Sequence, residues 1–149
     1  MLALPDAFEF ANPVKTLCGH RALEHLPFEL RCLGVDKPLV IRGDDAVSRA
    51  KLKLLARVLG QAGMGLGEAA AGPGVPGPAD VEELAAVYRD KDCDALLALG
   101  QGTLVDLAKT VSLAVSTGLT GMAELRTAAL GPEGLRPLGV IPLGVPVGD

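Results

Sequence analysis

Apolar positions in this chain fall into short unbroken runs separated by longer segments with helical spacing, and glycine or proline stands at nearly every change of pattern. Lys37-Pro38-Leu39-Val40-Ile41 predicts a strand closed by the Gly43-Asp44-Asp45 turn, and Ala46 to Leu59 predicts an amphipathic helix stopped near Gly60 or Gly63. Its Arg49, Lys51, Lys53 and Arg57 form a solvated face. Ala95 to Leu99 is a charge-free run ending on Gly100-Gln101-Gly102, and Leu104 to Val115 is apolar all round, as a buried helix is. Between them, a short strand is expected near Leu66, a loop over Ala71 to Pro78, and a helix capped by Asp80 running through Arg89 with Glu82 and Glu83 in its first turn. Before them, Pro13 to Leu17 predicts a strand, and Arg21 to Leu33 a helix with an apolar face of Ala22, Leu23, Leu26, Leu30 and Leu33, interrupted by Pro27. A last strand is expected just before Pro142.

Short strands alternating with helices imply crossover connections, hence a doubly wound α/β domain with a mostly parallel sheet and helices on both faces. Ligands of such sheets bind outside the carboxyl ends of the strands. The turns at Gly43, Pro76 to Pro78, Gly100 to Thr103 and Pro142 therefore gather around one crevice. At Gly100-Gln101-Gly102 the glycines let a ligand approach the backbone, and the first amides of the following helix have no internal partners. That makes an anion site. Thr103 and Asp106, three residues apart, also fit a capping box with Asp in place of Glu, so the stretch reads equally as a helix start and nothing more.

Hydrophobic residues make up 49% of the 149 residues but aromatics only 3%, with no Trp, so the apolar content is small and aliphatic. The length suits one domain spanning 1–149. A net charge of -4 and the scarcity of aromatics argue against nucleic acid as a partner. No run reaches the roughly 18–20 apolar residues of a membrane span, and the amino terminus lacks the pattern of a signal peptide, so no membrane is expected and the cytoplasm is the expected location. Cys18, Cys32 and Cys93 match neither a disulfide framework nor zinc-ligand spacing. His20 and His25, five apart, would diverge on a helix, so no metal site is expected within this chain.

Gly100-Gln101-Gly102-Thr103-Leu104-Val105-Asp106-Leu107-Ala108-Lys109 resembles the Gly-Gly-Gly-Ser-x-x-Asp-x-Ala-Lys signature of iron-containing (group III) alcohol dehydrogenases. Phe8 to Lys15, Cys18 to Leu23, Val87 to Asp94 and Pro137 to Pro142 resemble that family's amino-terminal half in the same order, so the likeness spans nearly the whole chain.

The resemblance implies a Rossmann-like domain that holds NAD or NADP in a dehydrogenase acting on alcohols and aldehydes. It also implies a separate all-helical domain carrying Asp and His ligands for iron or zinc; that domain is expected to be missing from these 149 residues, and this chain alone is expected to be inactive. Carried over, Gly100, Gln101, Gly102 and Thr103 would line the pyrophosphate and Asp106 the nicotinamide side, with Lys109 matched but equally a surface charge. The family's ribose-contacting Asp falls on Gly43, with Asp44 one residue later. Gly43 at that place admits NADP, whereas Asp44 would restore NAD. The chain departs from the pattern at Gln101, at Gly77 in place of an Asn, and after Pro142, where Leu143 to Asp149 lacks the family's hydroxyl residues. A divergent remnant serving as a nucleotide-binding or subunit-interaction module is the competing expectation, and an uncovered aliphatic helix predicts self-association.

Overall fold

The structure, a computed structural model, describes residues 14–118 and 134–143. Residues 8–13 of the Phe8 to Lys15 motif, Pro13 of the expected first strand included, and the segment from Gly144 to Asp149 lie outside them.

Four parallel strands, β1 (Pro38–Arg42), β2 (Gly67–Ala70), β3 (Ala95–Leu99) and β4 (Leu138–Ile141), form one sheet in the order β2-β1-β3-β4. Among the described residues four α-helices accompany them: α1 (Leu26–Cys32), α2 (Ala46–Gln61), α3 (Pro78–Asp90) and α4 (Thr103–Thr117). Parallel neighbours cannot be joined by a tight turn, so a helix lies on each connection from β1 to β4.

The central strands are apolar throughout because both of their faces are covered. In β1 and β3, Leu39, Val40, Ile41 and all of Ala95 to Leu99 are 0% exposed. Their side chains alternate between two cores. Leu39, Ile41, Leu96 and Ala98 pack with Val81, Leu84, Leu107 and Val111 of α3 and α4. Val40, Leu97 and Leu99 pack on the other face with Leu30, Leu52, Leu55 and Leu59 of α1 and α2. From β1 to β2 the chain moves one way across the sheet, and from β2 through β3 to β4 it moves the other way. With one hand of crossover, that reversal requires α2 on one face and α3 with α4 on the opposite face, as observed.

At the amino ends of the central strands the Asp94 carboxylate accepts the amides of Asp36 at 2.7 Å and Lys37 at 3.0 Å, while the Asp94 amide donates to the Lys37 carbonyl at 3.1 Å. This ties the entry of β3 to that of β1.

The doubly wound reading holds, and β3 has the predicted limits. Several local expectations are corrected. Residues 14–18 have no regular secondary structure, and Val14 is 69% exposed, so the described part of the predicted 13–17 strand is not a strand. Arg21 to Leu33 is split, as the interruption at Pro27 predicts, into a 3-10 turn over Ala22–His25 and α1, in whose first turn Pro27 sits without needing a backbone donor. Leu33 is 63% exposed and leaves the proposed apolar face. The short strand expected near Leu66 is present as β2, beginning at Gly67, where a Cβ would lie 2.9 Å from the Cys93 sulfur. Asp80 is not the residue before α3: Gly77 is, and Asp80 reaches back to accept the Gly77 amide at 2.6 Å.

Candidate nucleotide-binding site

Arg42 pairs with Leu99 in the β1–β3 register, so Gly43 and Gly100 leave the sheet side by side. Because the order of strands reverses about β1, this is the switch point of the sheet, the place where a crevice opens between connections to opposite faces.

The turn after β3 depends on glycine for two reasons. Gly100 has φ +152° and Gly102 φ +64°, conformations that L side chains rarely adopt. A Cβ on Gly100 would also run into the Leu104 side chain. The Gly100 amide donates to the Ile141 carbonyl at 3.0 Å, which extends the β3–β4 ladder by one residue. Gly100 therefore shapes the turn and spends its own amide on the sheet.

Gly102, not Thr103, is the residue before α4, and no side chain caps that helix. Thr103 is already helical. The expected Thr103–Asp106 capping box is thus corrected, because a left-handed Gly102 admits the chain to the helix one residue early. The Gly102 carbonyl accepts the amides of Val105 at 3.0 Å and Asp106 at 3.3 Å. Gln101, Gly102, Thr103 and Asp106 are all exposed, so the start of α4 faces solvent with its positive dipole end uncovered.

The turn after β1 is built differently. Asp45 precedes α2, accepting the Ser48 amide at 2.8 Å and the Ser48 hydroxyl at 2.6 Å. Those bonds, the hydroxyl first, hold the Asp45 carboxyl below its ordinary range. A Cβ on Gly43 would lie 2.8 Å from the Asp45 carboxylate and 3.3 Å from the Ser48 hydroxyl, so a side chain there would push the Asp45 carboxylate from its place in the cap.

Asp44 is not part of that cap. Its Oδ1 lies 2.9 Å from Arg49 Nη1 and 3.4 Å from Arg42 Nη1. Arg42 also donates to the Gly43 carbonyl at 3.0 Å and reaches Glu68 Oε1 at 3.3 Å. Its side chain is only 11% exposed, and its Nε is buried without a partner. The cluster in which Arg42 joins Asp44 and Glu68, with Arg49 also on Asp44, is absent from the expectations drawn from sequence. Its signal was an arginine ending an apolar strand directly before a glycine.

The predicted residues fall at the tips of two adjacent strands, Gly43 with Asp44 and Gly100 to Thr103 with Asp106. A separate cleft of about 980 Å³ runs along β4, lined among others by Leu23, Leu26, Lys109, Leu113 and Val140, and contains none of them. Among the described residues no three His, Cys, Asp or Glu side chains come together as metal ligands, and no helix is long and apolar enough to cross a membrane. His20 and His25 are exposed.

Comparison with known proteins agrees with this geometry. EutG, a probable alcohol dehydrogenase of Salmonella typhimurium, is 34% identical over 122 residues, which is 79% of this chain and 31% of that protein. The crystal structure of the NADH-dependent butanol dehydrogenase A of Thermotoga maritima superposes with a TM-score of 0.65 at 25% identity, covering 72% of this chain and 27% of that one. The sulfoacetaldehyde reductase of Bifidobacterium kashiwanohense, solved with NAD+, shares the fold with a TM-score of 0.76 at 17% identity, covering 91% of this chain and 36% of that one. The chain thus spans about a third of the length of EutG, at 31%. The model of the iron-containing alcohol dehydrogenase family matches residues 13–144, and with the parallel sheet and its glycine turn this places the chain in that family.

Proposed function

We propose that this chain is the part of an NAD(P)-dependent, iron-containing alcohol dehydrogenase-like oxidoreductase that holds the dinucleotide. The observation that carries the reading is the uncapped, solvent-facing start of α4 at the switch point of a parallel sheet. Unpaired amides at such a place satisfy a diphosphate without needing net positive charge. In this reading the amides from Gln101 to Leu104 and the Thr103 hydroxyl hold the pyrophosphate. Gly100 and Gly102 keep side chains away from it, Asp106 borders the nicotinamide, and Gly43 with Asp44 borders the adenosine ribose.

The cofactor supplies the hydride chemistry, and the chain binds and orients it. The described residues do not fit a metal centre, so no metal-assisted step is assigned to them. The remaining part of the reading is a partner: either a helical domain of the kind the family resemblance implies or a second copy of the chain. Leu104, Val105, Leu113 and Val115 of α4 are only half-buried, and these also favour a second reading, a nucleotide-binding or subunit-interaction module without catalysis. A cytoplasmic location accords with Cys18, Cys32 and Cys93 all being free thiols.

Titration with NADH and with NADPH, followed by fluorescence, tests the binding. Saturable binding of at least one is expected, and no change at millimolar cofactor would overturn the proposal. Size-exclusion chromatography separates the two partner readings: a concentration-dependent dimer points to a second copy, and a clean monomer to a helical domain.

A further inference from the structure

We propose that Arg42 and Arg49 take the 2′-phosphate of a phosphorylated dinucleotide, the Asp44 carboxylate holding that place until the ligand displaces it. This rests on the dinucleotide reading above and decides between its two cofactors.

The observations lie at the β1 tip. Asp44 Oδ1 is shared by two guanidinium groups, at 2.9 Å from Arg49 and 3.4 Å from Arg42. Asp44 is 70% exposed and Arg49 52%, so that pair can open to solvent at little cost. Arg42 cannot follow it, being 11% exposed and anchored to the Gly43 carbonyl at 3.0 Å.

The buried guanidinium is also poorly satisfied. Its contacts to Asp44 at 3.4 Å and to Glu68 at 3.3 Å exceed the roughly 2.7–2.9 Å of a strong charge-assisted bond, and its Nε has no partner. A phosphate presents three oxygens where the Asp44 carboxylate presents one to both arginines, so it can close on both at once.

Space for it is fixed by Gly43. With glycine at that position, no side-chain carboxylate stands there to accept a free ribose hydroxyl and repel a 2′-phosphate, and a Cβ would lie 2.8 Å from the Asp45 carboxylate. Glu68, 48% exposed, opposes the phosphate but engages the other terminal nitrogen of Arg42, Nη2, and comes from the neighbouring strand.

The test compares dissociation constants of the full chain for NADPH and NADH, with 2′,5′-ADP, 5′-AMP and inorganic phosphate as competitors. NADPH is expected to bind at least tenfold more tightly, with 2′,5′-ADP displacing it well below the concentrations of 5′-AMP or inorganic phosphate required. Asp44→Asn, which weakens the internal competitor, should widen the preference. Arg49→Ala, at an exposed position, should reduce the preference for NADPH severalfold. NADH binding as tightly as NADPH, an unchanged preference in Arg49→Ala, or displacement by inorganic phosphate as readily as by 2′,5′-ADP would each overturn the inference alone. Binding of neither cofactor would overturn the dinucleotide reading itself.

Discussion

Two helices start at the same rim of the sheet, α2 after β1 and α4 after β3, and the chain finishes them in opposite ways. At α2 a side chain does the work: Asp45 accepts both the Ser48 amide and hydroxyl, and Ser48 itself is 1% exposed. At α4 the backbone does it, with Gly102 at φ +64° and no side-chain cap. The first is a sealed joint that positions β1, whereas the second leaves main-chain donors facing solvent. A fold that held a phosphate at the second turn, as proposed, would divide rigidity and binding between neighbouring turns, and the difference follows the residue type before each helix.

The largest expected effect comes from filling the open turn. Gly100→Val combines a disfavoured φ with a collision against Leu104 and should cost about 3 kcal/mol or more, read from urea unfolding. Cofactor binding should fall with it. Gly102→Ala, with open space around the new Cβ, carries only the backbone strain, about 1–3 kcal/mol.

A smaller loss is expected at the sealed turn. Asp45→Ala should lower the thermal midpoint at neutral pH while cofactor affinity changes little. The carboxyl is held below its ordinary range when folded, so its contribution is fully present above that range and lost as pH falls through the folded value. The gap between Asp45→Ala and the parent should therefore narrow in acid, and a gap that widened would contradict the assignment.

The smallest effect is expected at Thr103→Ala. With no cap bond to remove, stability should change by no more than about 0.5 kcal/mol, while dinucleotide binding weakens. A loss of the size usual for an N-cap, about 1 kcal/mol, would restore the helix-start reading of this residue.

The elements that could be read from the chain are those fixed by burial. Ala95 to Leu99 has no polar residue because both its faces are covered, and that pattern is visible without coordinates. The start of α2 was legible for a similar reason, since Gly43-Asp44-Asp45 interrupts two well-patterned segments. What could not be read depended on backbone dihedrals or on residues brought together by the sheet. The one-residue shift from Thr103 to Gly102 follows from a positive φ that periodicity does not report. The Arg42 cluster needs Glu68 from β2, 26 positions away along the chain. Residues 14–17 carry strand-like composition, yet their described backbone joins no ladder.

The Asp94 clamp has a further consequence. It fastens the two central strands together at the end of the sheet remote from the proposed cofactor crevice, through bonds that involve none of the rim residues. Substitutions in the proposed recognition turns are therefore expected to leave the foundation in place, which would make the β1 tip a workable place for re-engineering coenzyme choice.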